Sequence, residues 1–244
     1  MKRYKADLHI HSCLSPCGDW AMSPRDMVAK SREAGLDIIA LCDHNSAENA
    51  GAAMDAGKKA GLTVVPGMEI CSREEVHVLG LFETLEQALK LQEMVYANLP
   101  GENTPRLWGD QVVANADNEV IYENQRLLIG ATTLWLDAIV DAVKELGGLC
   151  IASHVDRPSF SIISNLGFIP PDLKFDALEV SRLTPLVEAY NRIPGIAGYP
   201  CITSSDAHFL TDIGRVWTGF FLEAPVFEEI QRALQGVDGR WIEV

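Results

Sequence analysis

Short apolar runs and amphipathic stretches alternate along the first hundred residues. Residues 4–10 read as a strand. Ser23-Pro24 offers an N-cap followed by proline at the first helical position, and Gly35 closes that helix. Residues 37–42 (Asp-Ile-Ile-Ala-Leu-Cys) are a compact apolar run of buried-strand length. Ser46 is placed to cap a second, alanine-rich helix that stops at Gly61. Residues 63–70 and 76–82 read as two further strands. Thr84, with Gln87 three residues on, makes a capping box for a long helix reaching Leu99.

The rhythm breaks between Pro100 and Gly130, a polar stretch rich in asparagine. Within it, Val112-Val113-Ala114 and Glu119-Val120-Ile121-Tyr122 flank Asp117-Asn118, the pattern of a β-hairpin. Alternation then resumes: a helix over 133–146 closed by Gly147-Gly148, strands at 149–153 and 176–180, and a short helix from Thr184-Pro185. Strands at 201–205 and 216–222 follow, and Pro225 opens a last helix. Strands mostly followed by helices, with no linker or repeat, predict one α/β domain over 1–244. Its expected form is a barrel of about seven strands with a hairpin insertion near 100–130, an open doubly wound sheet being the alternative.

Composition narrows the class. With 244 residues, 48% of them hydrophobic, the chain can fill a sizeable core. No run of about 18 apolar residues is present to span a membrane. Residues 1–7 lack the apolar stretch of a secretory signal, and the six cysteines have no framework spacing, so thiols in a soluble, cytoplasmic protein are expected. Acids outnumber bases 34 to 20, a formal charge of −14. That excess argues against gripping a polynucleotide backbone, leaves room for a small phosphorylated substrate, and would suit bound cations.

The six histidines are His9, His11, His44, His77, His154 and His208, and each falls in or beside an expected strand. A barrel collects strand ends on one face, so residues distant in sequence would meet there. Asp7-Leu8-His9-Ile10-His11 puts two imidazoles on one face of an extended segment. Asp43-His44 and Asp206-Ala207-His208 pair carboxylates with imidazoles, and Glu69 interrupts an apolar run where an unpaired charge is costly. A cation would remove that cost. This donor set favours zinc, manganese or iron.

Asp7-Leu8-His9-Ile10-His11-Ser12, Asp43-His44, Glu69, His77 in His-Val-Leu-Gly, Ser153-His154 and Ser205-Asp206-Ala207-His208 together resemble the PHP superfamily, named for polymerases and histidinol phosphatase. The resemblance implies a distorted seven-stranded (β/α) barrel with two or three divalent transition-metal ions, hydrolysing phosphoesters. It implies one ion at His9, His11 and Asp206, a second at His77 and His154 with Glu69 as bridge, and a third at His44 and His208. Trinuclear relatives carry a further histidine where this chain has Cys17. Cys17 as thiolate would complete the third position, Asp19 could replace it, or that position could be weak or empty.

Cations sharing Glu69 would activate a water against a phosphoryl group, with Asp7 and Asp43 orienting the ligating imidazoles. His208 is a candidate to deliver a proton to the leaving group. Arg157 is the first candidate for holding phosphate, followed by Arg182 and Arg73. The insertion and residues 159–171 are expected to border the pocket. The leading expectation is a phosphoesterase for a small metabolite or nucleotide. The alternatives are an exonuclease, metal-assisted hydrolysis of another bond, or a non-catalytic metal-binding module.

Overall fold

A computed structural model describes residues 1–243. The strands in chain order are β1 (Lys2–Ile10), β2 (Ile38–Leu41), β3 (Thr63–Cys71), β4 (His77–Leu81), β5 (Val112–Ala114), β6 (Val120–Glu123), β7 (Leu149–Ala152), β8 (Ala177–Ser181), β9 (Cys201–Ser204), β10 (Thr218–Leu222) and β11 (Trp241–Glu243). The helices are α1 (Pro24–Glu33), α2 (Ala50–Ala60), α3 (Leu85–Ala97), α4 (Pro105–Trp108), α5 (Leu136–Glu145), α6 (Ile162–Leu166), α7 (Leu186–Arg192) and α8 (Phe227–Gln235). None of them is long and apolar enough to cross a membrane.

Nine strands hydrogen-bond in the order β11-β10-β1-β2-β3-β4-β7-β8-β9. The far edge then returns to the start: Ile10 bridges in parallel to Ala207, and His11 N–H donates to the Ala207 carbonyl at 3.0 Å. Seven strands, β1 to β4 and β7 to β9, therefore form a nearly closed barrel. Its distortion lies at β1, whose first half pairs antiparallel with β10 while its end meets the segment after β9.

Two features aim side chains at the barrel mouth. Ala6 and Asp7 pair with Ile38 and Ile39, yet Ile10 pairs with Leu41, so β1 carries one extra residue. That bulge turns both Leu8 and His9 inward and keeps His11 on the inner face. The other feature is the direction of β4, antiparallel to both β3 and β7. An all-parallel barrel would leave the start of this strand at the wrong end. Reversal places His77 opposite Cys71, beside Glu69.

Apolar residues divide by parity. Inward-facing Leu8, Ala40, Val65, Leu79, Ile151, Ala177 and Ile202 fill the barrel, and α8 seals it with Phe227, Ile230 and Leu234. Outward-facing Ile39, Met68, Val78 and Leu178 pack under the helical layer. Each such aliphatic side chain, fully buried, contributes about 1.5–3 kcal/mol.

Helix boundaries follow the sequence signals with one displacement. The Thr84–Gln87 capping box is formed in full, and Gly61 ends α2 in the left-handed region at φ 68°. However, α2 starts at Ala50 with Asn49 as N-cap, not at Ser46. Ser46 is engaged by α3 instead, its hydroxyl lying 2.7 Å from the Tyr96 hydroxyl and donating to Gln92 at 3.2 Å.

The insertion does form a hairpin, β5 against β6. It is tied down from below. Asn49 Nδ2 donates to the Val112 carbonyl and Asn49 Oδ1 accepts from Ala114. Asn45 Nδ2 donates to the carbonyls of Leu128 and Gly130 at 2.7 and 2.8 Å. All six cysteines are free.

Candidate metal centre

At the mouth of the barrel the six histidines, Glu69 and Asp206 converge. His9, His11 and Glu69 are essentially inaccessible, and His44, His77 and His154 are buried. His9 Nε2 and His11 Nε2 face each other at 3.0 Å, and Asp206 Oδ1 lies 3.5 and 3.2 Å from them. Glu69 sits at the centre. Its Oε1 is 2.9 Å from His77 Nδ1 and 3.1 Å from His154 Nε2, while its Oε2 is 3.0 Å from His44 Nδ1. His11 and His208 stack at 4.2 Å between ring centroids.

Three groupings place their donor atoms within 4.8 Å of one another: His9, His11 and Asp206; His44, Glu69 and His77; and His11, His44 and His208. The donors fit divalent cations. The Nε2 separation of 3.0 Å would let both imidazoles lie about 2.0–2.1 Å from one ion, at an angle near the roughly 90° of octahedral sites. His77 Nδ1 is buried with no hydrogen bond, although a Glu69 oxygen is 2.9 Å away, because its approach is poorly aligned for one. A buried lone pair aimed beside a carboxylate suits a shared cation better than a shared proton.

The backbone is bent to make this arrangement. His154, Asp206, Asn45 and Phe160 have φ of 29°, 49°, 51° and 55°. Each such residue costs about 1–3 kcal/mol; His154, Asp206 and Phe160 line one pocket and Asn45 follows His44, so strain gathers at this site.

Charge follows burial and neighbours. Burial alone would raise Glu69 and Asp206, but His77 and His9 beside the first, and His9 and His11 beside the second, hold both well below the usual carboxylate range. Burial likewise opposes charge on His9, yet Glu179, Asp206 and Glu69 raise it well above an ordinary imidazole. His11 is pushed well below by burial and by His208. Cys17 is exposed, and although burial of its thiol opposes ionisation, His44 and His208 bring it down to about 6. Cys17 nevertheless belongs to none of the three donor groupings, the one at the expected third position being His11, His44 and His208. Asp19 turns elsewhere, accepting from the Ala21 N–H at 2.8 Å.

A cavity of about 200 Å³ opens over the centre, floored by His44, Glu69, His77, His154, Asp206 and His208. Its rim is Ile129 from the insertion, with Arg157, Ser159 and Phe160. Arg157 pairs with Asp206 at 2.5 Å. The other two arginines lie apart from it: Arg182 lines a separate cleft 4.0 Å from Asp212, and Arg73 packs over the Trp135 ring at 4.4 Å. Asp7 and Asp43 also differ from expectation, because neither touches an imidazole. Asp7 accepts from the N–H groups of Ser205 and Gly214, pinning the loop that carries Asp206 and His208. Burial raises its carboxyl to about 6. Asp43 accepts from Ser12 and from Ser15, whose hydroxyl lies 3.0 Å from His11 Nδ1, so it reaches His11 through one serine. His208 Nδ1 lies 2.9 Å from the Asp206 carbonyl, which fixes that nitrogen as the protonated one and leaves Nε2 a bare lone pair.

Comparison with known proteins gives this geometry its context. The PHP domain family matches residues 7–160, and the PHP-associated family matches residues 196–236. The chain belongs to the PHP family. A 5'-3' exoribonuclease of Haemophilus influenzae is 35% identical over 80 residues, 32% of this chain and 28% of that protein. The lesion-specific endonuclease Q of Pyrococcus furiosus has the same fold, with a TM-score of 0.71 at 22% identity over 99% of this chain and 58% of the other. This PHP chain thus spans less than two thirds of the length of either.

A second endonuclease Q structure, similar at a TM-score of 0.69 and 22% identity over 98% of this chain and 58% of the other, holds a 27-mer duplex with an abasic lesion at its active site. This overturns the expectation that the acidic charge argues against a polynucleotide and for a small phosphorylated partner. A net charge of −14 sums the whole surface. The field at a pocket is set by groups within about 8–10 Å, beyond which salt screens the rest.

One residue of the site is absent from the expectations drawn from the sequence. Glu179 lies inside an ordinary strand run, Ala-Leu-Glu-Val-Ser, with no histidine beside it. Its carboxylate sits 2.9 and 3.1 Å from His9 Nδ1. A glutamate in a strand otherwise wholly buried, like Glu69, was the available clue.

Proposed function

We propose that this PHP chain is a metal-dependent phosphodiesterase that cleaves a nucleic-acid strand, with the scissile phosphate seated between the histidine cluster and Arg157. The observation that carries the metal-dependent chemistry is the focus on Glu69, a buried carboxylate approached within 3.1 Å by His44, His77 and His154. Divalent ions at these groupings would supply Lewis-acid chemistry, polarising a phosphoryl oxygen and acidifying water. Zinc, manganese and iron suit the imidazole-rich set.

The chain's own residues prepare the reaction. His9, His11 and His208 each have one ring nitrogen committed to the protein, to Glu179, Ser15 and the Asp206 carbonyl. Each therefore presents a lone pair in fixed orientation. Arg157 stands at the rim, where its guanidinium can leave Asp206 partly and donate to a phosphate oxygen. Phe160, stacked on His77 at 4.8 Å and 43% exposed, offers a face for a base next to that phosphate. The small cavity admits a phosphoryl group and its nearest atoms, leaving the rest of a strand outside.

The relatives support a nucleic-acid substrate, since the names of the exoribonuclease and endonuclease Q both specify nucleic acid. A test loads purified protein with Mn²⁺ or Zn²⁺ and offers labelled RNA and DNA oligonucleotides, single-stranded and duplex, beside p-nitrophenyl phosphate and nucleoside monophosphates. Shortened or nicked oligonucleotides are the expected products. Turnover of the small monoesters alone would replace this reading with a small-molecule phosphatase, and metal-loaded protein inert on the whole panel would end both.

A further inference from the structure

Glu179 is a buried carboxylate on β8 that belongs to none of the three donor groupings. Its two oxygens nevertheless meet two different histidines. Oε1 and Oε2 lie 3.1 and 2.9 Å from His9 Nδ1. Oε2 also accepts the backbone N–H of His154 at 3.0 Å, and the Glu179 carbonyl accepts the N–H of Val155 at 2.9 Å. His154 is the residue with φ of 29°, a value a β-carbon disfavours.

We infer that Glu179 is a positioning residue that fixes two parts of the centre at once: it sets the ring of His9 with Nδ1–H inward and Nε2 outward, and it holds the turn that presents His154 to Glu69. The inference rests on the metal-dependent reading above. Two consequences follow from the geometry. A carboxylate has only acceptors, so the nitrogen facing it must carry the proton, and Nε2 is left to ligate. One carboxylate shared between His9 and His154 also couples the His9–His11–Asp206 grouping to the Glu69 side. Weakening one should therefore weaken the other.

Glu179→Gln separates these roles from mere filling of space. It keeps volume and one carbonyl oxygen, which can still accept from His154. That oxygen also keeps the 2.9 Å contact to His9 Nδ1, but an NH2 group replaces the oxygen at 3.1 Å and the charge is lost, so the hold on the Nδ1 proton weakens and the ring form protonated on Nε2 gains population. Glu179→Asp retains the charge but shortens the reach, and serves if the Gln variant folds poorly.

Two measurements decide the matter, and neither needs a substrate. In 15N-edited proton spectra of the wild-type protein, with or without Zn²⁺, His9 Nδ1–H should give a downfield, slowly exchanging resonance. That resonance should move or vanish in Glu179→Gln. Zn²⁺ titration with a competing chelator should show affinity about 10–100-fold weaker in the same variant, with partial recovery in Glu179→Asp. Wild-type Zn²⁺ affinity in Glu179→Gln, or a His9 resonance showing the proton on Nε2 in the wild type, would overturn the inference. A lower melting temperature with unchanged affinity would leave Glu179 a packing residue only and overturn it equally. Failure of the oligonucleotide panel would refute the nucleic-acid reading alone, because the ring resonance and the Zn²⁺ titration are read without any substrate.

Discussion

Glu69 carries more of this site than any other side chain, since three imidazoles approach its two oxygens and one neutral substitute cannot serve them all. Glu69→Ala should lose bound metal on gel filtration and at least about 100-fold in turnover, the upper end of what outer partners alone cost. Elemental analysis beside initial rates checks both. Arg157 acts differently, touching Asp206 at the rim. Arg157→Ala should raise KM by about 10-fold or more while metal content stays at the wild-type level, because a charge-assisted bond to phosphate is worth about 1.5–3 kcal/mol. Cys17 gives a pH test. Its thiol is brought down to about 6, so the thiolate fraction, and with it iodoacetamide labelling, should rise through half its maximum near pH 6 in chelator-treated protein. An ordinary thiol would do so about two units higher. Added Zn²⁺ should protect Cys17 if it completes the third position, and peptide mapping reads the difference.

At the scale of elements, local signals were enough wherever one residue or a short period governs the outcome. The Thr84–Gln87 box formed because both partners lie within one turn. Thr84→Ala should therefore cost about 1 kcal/mol of unfolding free energy, read from a lower denaturant midpoint at unchanged slope, without altering metal binding. The hairpin at 112–123 was legible for the same reason, its two strands and turn being contiguous. Ser46 was misplaced as a cap because its partners, Gln92 and Tyr96, lie more than forty residues away. The bulge in β1 and the reversal of β4 were equally invisible. Each depends on which strand pairs with which, and each decides whether His9 or His77 faces the centre at all.

Over the whole molecule, an acidic chain of formal charge −14 concentrates carboxylates and imidazoles at one end of a barrel, so cations should stabilise it by mass action. One ion at 100 times its dissociation constant adds about 2.7 kcal/mol, which for a chain of this size shifts melting by about 5–10 °C. Chelation should lower the melting temperature by that amount and metal should restore it, as calorimetry can show. Residue types and their order were fixed by the sequence alone: six histidines at strand ends, Glu69 in an apolar run, and hence a PHP barrel with a metal-ligating mouth. Such chemistry needs particular side chains, and these can be read wherever they stand. Only the folded chain decided that Glu179 meets His9, that Asp43 reaches His11 through Ser15, and that Arg157 reaches the cavity while Arg182 and Arg73 do not. Those outcomes depend on contacts across 28 to 170 residues, set by strand pairing and barrel closure, which no local pattern contains.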